Sequence, residues 1–157
     1  MAQAFVGAVL SEHNGLSPSP EECAAPAQGL IIQVDGGHIP TQEKDKRSFE
    51  ALAAIVYRPE AIQAVDQHHR QIMEKTCVIS AMDDQLHTIK TSMINAAKKQ
   101  GLSQATQVTA LADGATNCWS VVAAIQPECA TLECILDWFH IAQKFQNVKN
   151  ALVSPPR

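Results

Sequence analysis

The chain has 157 residues, of which 46% are hydrophobic and 18% are charged, and these proportions are typical of globular domains. They argue against an intrinsically disordered or fibrous protein, and the length suits one domain because domains cluster near roughly 100 to 150 residues. The formal net charge of −4 argues against a self-sufficient nucleic-acid-binding domain, since binding to the phosphate backbone depends on lysine and arginine.

The beginning of the chain lacks a pattern of regular structure. Residues 1–10 are apolar, but no basic residue precedes them, and a membrane span needs roughly 20 such residues. We therefore expect no signal peptide, no membrane anchor and no membrane partner. Residues 11–28 contain three prolines among polar residues, a composition that interrupts helices and strands. We predict a poorly ordered lead-in over residues 1–28 and one folded domain over residues 29–157.

The cysteines indicate a reducing compartment. There are five, an odd number, without a Cys-x-x-Cys pair, which favours reduced thiols in a cytoplasmic protein over a disulfide framework. A zinc site could be imagined from His140 and three cysteines, Cys118, Cys129 and Cys134. Their spacing differs from the short paired spacing of structural zinc sites, so we do not expect one. The adjacent His68 and His69 lie in a polar stretch and are expected to face solvent rather than bind metal.

The first predicted strand covers residues 30–34, which are mainly apolar and β-branched. It is followed by Asp35-Gly36-Gly37, which predicts a turn with Asp35 at the carboxyl end of the strand. After a charged loop, the apolar residues 51–57 predict a second, buried strand that ends before a proline.

The middle of the chain predicts one more strand and the clearest helix. Residues 59–75 are polar and are predicted to form a helix or a long loop, and a short third strand is predicted at 77–80. A helix with Lys98 and Lys99 in its last turn is predicted, because apolar residues recur at helical spacing from Leu86 to Ala97. Asp83-Asp84 can cap its start, and Gly101 follows its end.

The last third of the chain alternates between strand and helix. Residues 107–112 predict a fourth strand, which ends in a second acidic turn that begins with Asp113. A helix over about 116–125, a fifth strand over 133–137 and a helix over about 139–152 follow. The alternation predicts parallel crossovers and a sheet covered on both faces. This order of elements is that of an α/β protein with a ribonuclease-H-like mixed sheet flanked by helices.

The two acidic turns are the candidate chemical site. If the fourth strand lies beside the first, as in the ribonuclease-H-like fold, Asp35 and Asp113 converge, and two such carboxylates repel each other unless a cation lies between them. Mg²⁺ or Mn²⁺ is the cation that such oxygen ligands prefer, and paired ions support phosphoryl transfer. The alternative is that both Asp-Gly pairs are only favourable turn dipeptides.

Several stretches of the chain resemble one family, insertion-sequence transposases of the ISKra group, which are relatives of the Mutator-like DDE transposases. The resemblance spans about residues 29–152, and the matching stretches are QVDGGHI at 33–39, KRSFEAL at 46–52, YRPE at 57–60, AAKKQG at 96–101, VTALADGATNCWSVV at 108–122 and ILDWFHI at 135–141. It implies metal-dependent cleavage and transfer of DNA strands, with transposon ends as the DNA partner and a homo-oligomer or full-length transposase as a further partner.

The resemblance also assigns roles to individual residues. It implies that Asp35 is the first catalytic carboxylate and Asp113 the second, each a ligand of Mg²⁺ or Mn²⁺. His140 is implied to lie near the active site, where it would position DNA or a phosphate; the alternative is a histidine packed against the start of a helix. For Asp137, capping of that helix is favoured over metal binding.

The chain departs from the family at its end. Enzymes of this family continue through a helical insertion to a glutamate that completes the metal site, whereas this sequence stops at Arg157. We therefore expect a partial catalytic domain, truncated before the last catalytic helix. The main alternative is an inactive remnant that at most binds DNA or a transposase. A complete ribonuclease-H-like nuclease or resolvase would need another acid, and the candidates are Asp83, Asp84 and Asp137.

Basic and aromatic side chains could support DNA binding. Lys44, Lys46 and Arg47 follow the first acidic turn and are the best placed to contact a phosphate; the alternative is a solvated loop. Trp119 and Trp138 could stack on bases, but both lie at apolar helix starts, so we predict that they pack in the core.

Overall fold

The computed structural model describes residues 17–42 and 47–153. In these ranges the strands are β1 (Gly29–Pro40), β2 (Ser48–Tyr57), β3 (Ile62–Ala64), β4 (Arg70–Ile72), β5 (Thr76–Ser80), β6 (Gln107–Ala112) and β7 (Thr131–Leu136). The helices are α1 (His87–Lys99), α2 (Thr116–Ala123) and α3 (Trp138–Val153). Short 3₁₀ turns lie at Pro20–Glu22, Pro59–Ala61 and Gln126–Glu128.

Five strands form one mixed sheet in the order β5-β2-β1-β6-β7, and β3 and β4 form a separate two-stranded sheet. The pairs β1–β2 and β2–β5 are antiparallel, whereas β1–β6 and β6–β7 are parallel. The fourth predicted strand, β6, therefore lies beside β1, as predicted. The parallel pairs require crossovers through α1 and α2, and these crossovers were also predicted. The chain is thus a mixed α/β protein with a five-stranded mixed sheet flanked by helices.

The core lies between one face of the sheet and the helices α1 and α2. Alternate residues of β1, β2 and β6 face it, among them Ile32, Ala54 and Ala110, which have no exposed surface. Met93 of α1 and Val121 of α2 belong to the same buried cluster, so both helices pack on the same face. The predicted cover on both faces is therefore wrong: the other face of the sheet is only partly buried in the part of the chain that the structure describes.

Helix α1 ends where its sequence predicts, but it begins at His87, later than a cap at Asp83-Asp84 implies, and Leu86 before it is left-handed with a φ of 69°. Oδ2 of Asp84 still accepts a hydrogen bond of 2.9 Å from the backbone N–H of Thr88 in the first turn. Gly101 follows the helix with a φ of 93°, in the left-handed region that favours glycine. The backbone N–H of Ala27 donates to the carbonyl of Gly101 at 2.8 Å, which attaches the preceding segment to this helix end.

The predicted lead-in, residues 1–28, lies partly outside the described residues. Its described part holds the Pro20–Glu22 turn and is hydrogen-bonded to the rest of the chain. The side chain of Arg58 donates to the carbonyl of Gln100 at 2.9 Å and also to that of Ala25. The hydroxyl of Thr106, which is fully buried, donates to the carbonyl of Ala27 at 2.8 Å. Residues 23–28 are thereby attached to the end of α1 and the start of β6.

The predicted turn at Asp35-Gly36-Gly37 is wrong, because β1 continues without interruption through Pro40. Strand β2 is long enough to pair with this whole extension, from Asp35 opposite Ala53 to Pro40 opposite Ser48. The parallel partner β6 pairs only as far as Val34. Asp35 therefore lies at the carboxyl end of the parallel part of the sheet, although not at the end of its own strand.

Two further predictions need correction. Residues 59–75 were predicted to form a helix or a long loop, which is wrong. After the 3₁₀ turn they form the antiparallel hairpin of β3 and β4, in which Ile62 lies opposite Ile72. Trp138 does not pack in the core and is exposed at the start of α3, whereas Trp119 packs against the core as predicted. The difference arises because α3 has no buried residue at all.

Candidate metal centre

Three side chains meet where the parallel strands β1, β6 and β7 end. Asp35 follows Val34, the last residue of β1 that pairs with β6. Asp113 directly follows β6, and His140 lies in the first turn of α3, just after β7. Carboxyl ends of adjacent parallel strands share one edge of a sheet, so residues distant in sequence become neighbours there.

The three side chains are close enough to share one ion. An oxygen of Asp35, an oxygen of Asp113 and a ring nitrogen of His140 all lie within 4.8 Å of one another. Asp35 is exposed, and the other two residues are partly buried. The structure thus brings together the two aspartates that the sequence singled out, and it places His140 beside them. None of the other acids considered as a third ligand, Asp83, Asp84 and Asp137, belongs to this group.

Backbone N–H groups hold both carboxylates in place. Asp35 Oδ1 accepts a hydrogen bond of 2.8 Å from the N–H of Gly36. Asp113 Oδ1 accepts one of 2.8 Å from the N–H of Ala115, which forms the turn predicted at this position. Gly114, in the middle of that turn, has a φ of 96°, which a residue with a side chain rarely adopts. Both carboxylates are therefore oriented before any ligand binds.

Asp137 links the end of β7 to the start of α3. Its backbone N–H donates to the carbonyl of Ala112 at 2.9 Å, and its Oδ1 accepts a hydrogen bond of 3.0 Å from the N–H of Phe139. The predicted capping role of Asp137 is therefore confirmed. Its other oxygen, Oδ2, lies 3.0 Å from Nδ1 of His140. A carboxylate at this position favours a proton on Nδ1, which leaves the lone pair of Nε2 for a ligand.

A cavity of about 160 Å³ opens at this place. Asp35, Asp113, Asp137 and His140 line it together with residues from the ends of β1 and β6: Gln33, Val34, Leu111 and Ala112. The site therefore offers space for more than the ion itself, since an ordered water occupies about 30 Å³ of liquid volume. A phosphate oxygen or an attacking water could enter beside the carboxylates.

Cys118 lies behind the site and was not identified from the sequence as part of it. Its thiol is fully buried in the first turn of α2. The pKa of this thiol is raised to about 12, chiefly by burial, and then by the charge of the Asp113 carboxylate and its hydrogen bond to the thiol, with smaller effects from Asp35 and Glu50. A thiol held in its neutral form is a poor nucleophile, so Cys118 supports Asp113 structurally.

Glu50 is a second residue that sequence reasoning missed. It lies on β2 opposite His38, and its Oε1 accepts a hydrogen bond from the side chain of Asn117 in α2. The same oxygen lies 3.6 Å from where a Cβ on Gly36 would be, which places Glu50 on the core side of β1. The sequence prediction ended β1 near Asp35, and a strand of that length does not reach far enough to pair with Glu50, so Glu50 was not considered.

The remaining candidates lie elsewhere. Arg47 is exposed, whereas Lys44 and Lys46 fall outside the described residues. His68 and His69 are exposed as predicted, and Nδ1 of His69 lies 2.8 Å from Asp66 in the β3–β4 connection. The group of possible metal-binding side chains found among the described residues that contains His140 includes no cysteine. All five cysteines are free thiols.

Comparisons with known proteins do not assign the chain to a family. No protein-family model, no curated protein and no solved structure matches it. Among the described residues, no helix has the length and apolar character that crossing a membrane requires.

Proposed function

We propose that the chain is part of the ribonuclease-H-like catalytic core of a DDE transposase of the ISKra group, and that it acts on DNA by metal-dependent phosphoryl transfer. The observation that carries this proposal is the meeting of Asp35, Asp113 and His140 at the carboxyl ends of three adjacent parallel strands. The strand order supports it as well, because the first three strands of the sheet are antiparallel and the last two run parallel to β1.

The donor atoms fit a divalent cation. Ligand atoms around one ion with bonds of about 2.1 Å lie about 3 to 4 Å apart, so the present separations need only a small closure. Two aspartates alone suit Mg²⁺, whereas an added histidine nitrogen shifts the preference toward a softer ion such as Mn²⁺. We therefore expect Asp35 and Asp113 to hold the ion, and His140 to bind either the ion or a phosphate oxygen beside it.

When bound, a divalent cation would polarise a phosphodiester oxygen and favour deprotonation of an attacking water or hydroxyl. The chain's own residues prepare the site for this chemistry. Asp35 and Asp113 supply negative charge in orientations set by the N–H groups of Gly36 and Ala115. The hydrogen bond between Asp137 and Nδ1 of His140 fixes the orientation of the imidazole ring. Because these orientations exist before binding, little reorganisation is needed when the substrate arrives.

The DNA partner would have to be held largely by groups outside this site. The net charge of −4 leaves little general attraction for a phosphate backbone. Arg47, exposed before β2, is the described residue of the basic run that the sequence singled out. Transposon ends as the DNA substrate, and a homo-oligomer or full-length transposase as the protein partner, belong to this proposal.

Metal-dependent nicking of supercoiled plasmid tests the proposed activity. The protein is incubated with plasmid and Mn²⁺ or Mg²⁺, and relaxed circles are expected only when a metal is present. Asp35→Asn and Asp113→Asn should each abolish nicking, because an amide is a much weaker cation ligand than a carboxylate. Asp83→Asn is the matched control, since Asp83 is exposed and lies outside the cluster.

Two results would contradict the proposal in different ways. If the parent protein never nicks DNA although it binds Mn²⁺, the alternative of an inactive remnant that only binds DNA or a transposase gains support. If nicking persists in both aspartate variants, the activity does not come from this site.

A further inference from the structure

Helix α3 presents a continuous apolar stripe to solvent. The stripe consists of side chains spaced alternately three and four residues apart, which places them on one side of a helix: Trp138, Ile141, Phe145, Val148 and Leu152. Four of them are largely exposed, with exposed fractions of 72% for Trp138, 70% for Phe145, 58% for Val148 and 80% for Leu152. A stripe with this spacing is the seam along which two helices pack.

The charges beside the stripe are all positive. Between residues 138 and 153 the charged side chains are Lys144 and Lys149, and no aspartate or glutamate occurs. In a heptad that starts at Trp138, Lys144 and Lys149 occupy the two positions that flank the seam and face the partner helix. The other side of α3 carries uncharged polar groups, such as Gln146 and Asn150, which hydrogen-bond to each other at 2.9 Å.

This arrangement disfavours a second copy of the same helix as the partner. In a parallel pair, Lys144 of one copy would face Lys149 of the other. In an antiparallel pair each lysine would face its own counterpart. Both orientations place like charges across the seam, which is destabilising, whereas glutamates on the partner at these positions would be attractive.

We propose that α3 is a docking site for an acidic amphipathic helix of a partner protein, which covers the apolar stripe and places carboxylates against Lys144 and Lys149. The inference does not depend on the proposed transposase function, because it concerns a helix face and no residue of the metal cluster. An anionic membrane surface is a less suitable partner, since the polar side of α3 is mostly amide groups rather than basic ones.

Trp138 provides the readout. The chain has two tryptophans, and a Trp119→Phe variant leaves Trp138 as the only fluorescent indole, at the start of the stripe. The probes are two synthetic helices of about three heptads with leucine along the seam, one with glutamate and one with lysine at the flanking positions. The glutamate peptide should shift the Trp138 emission to shorter wavelength and bind about tenfold more tightly than the lysine peptide at low salt.

Charge reversal sharpens the test. A double variant with Lys144→Glu and Lys149→Glu should bind the lysine peptide more tightly than the glutamate peptide. Phe145→Asp should abolish binding of both peptides. Because these side chains are exposed, the substitutions remove no core packing. Gln143→Glu is the control, since it adds a negative charge on the polar side of α3 and should leave the order unchanged.

Three outcomes would overturn the proposal. Equal affinity for the two peptides in the parent would remove the argument from charge. Concentration-dependent self-association that buries Trp138 without any peptide would identify a second copy as the occupant. Binding of Trp138 to phosphatidylserine vesicles, with no response to either peptide, would identify a membrane face.

Discussion

Substitution of Asp137 by asparagine separates two roles that its carboxylate combines. Oδ1 accepts the N–H of Phe139 at the start of α3, and Oδ2 lies 3.0 Å from Nδ1 of His140. Asparagine keeps an oxygen that can cap the helix, but it turns its NH₂ group toward the ring. Nδ1 of His140 must then accept a hydrogen bond, which moves the ring proton to Nε2 and removes the Nε2 lone pair that could bind a metal.

The expected effect on metal binding is large, and the effect on folding is small. Loss of a carboxylate that orients a histidine ligand typically weakens metal binding by about 10- to 100-fold, or about 1.4 to 2.7 kcal/mol. The retained cap limits the loss of folding stability to under about 1 kcal/mol. Calorimetric titration with Mn²⁺ measures the first quantity, and urea denaturation without metal measures the second.

A double-mutant cycle shows whether Asp137 acts through His140. If it does, Asp137→Asn should weaken Mn²⁺ binding in the parent but have little further effect in a His140→Ala background. Unchanged affinity of Asp137→Asn in the parent would refute the positioning role. Equal, additive losses in both backgrounds would show instead that Asp137 binds the ion directly.

Three further predictions concern stability and reactivity. Gly101→Ala should lower the free energy of unfolding by about 2 to 4 kcal/mol in urea denaturation, because φ is 93° and a Cβ would lie 2.3 Å from the carbonyl oxygen of Ala25. Iodoacetamide at pH 8 should label Cys134, which is exposed, and spare the buried Cys118 in the native protein, as read by mass spectrometry. The free energy of unfolding, relative to a Cys118→Ala variant, should fall as the pH rises from 9 toward 12. In this range the thiol ionises in the unfolded chain but stays neutral in the folded one, because folding raises its pKa from 9.0 to about 12. The first prediction is contradicted if Gly101→Ala is as stable as the parent, and the second if Cys118 is labelled rapidly. The third is contradicted if the stability difference between the parent and Cys118→Ala does not change with pH.

The order of elements could be predicted from the sequence because each strand and helix carries its own local pattern. Strand β6 is a short apolar run closed by an acidic turn, and α1 has apolar residues at helical spacing with Asp84 at its start. Once β6 is placed beside β1, Asp35 and Asp113 meet without further information.

The features that were mispredicted depend on partners distant in sequence. Gly36 and Gly37 indicate a turn locally, but pairing with Leu52 and Ala51 of β2 keeps them in a strand. Trp138 lies in an apolar segment that looks like a core helix, yet the structure shows no neighbouring element that buries it among the described residues. The position of His140 beside the aspartates was implied by the family resemblance and not by a local pattern, and in the structure a hydrogen bond with Asp137 holds its ring.

The most direct test of the metal site is a crystal of the protein soaked in Mn²⁺, with data collected at a wavelength where manganese scatters anomalously. We predict an anomalous peak within bonding distance of Asp35 and Asp113, with His140 as the neighbouring side chain, and loss of this peak in Asp113→Asn crystals. Absence of a peak at this position, or a peak only at Asp66 and His69, would contradict the account.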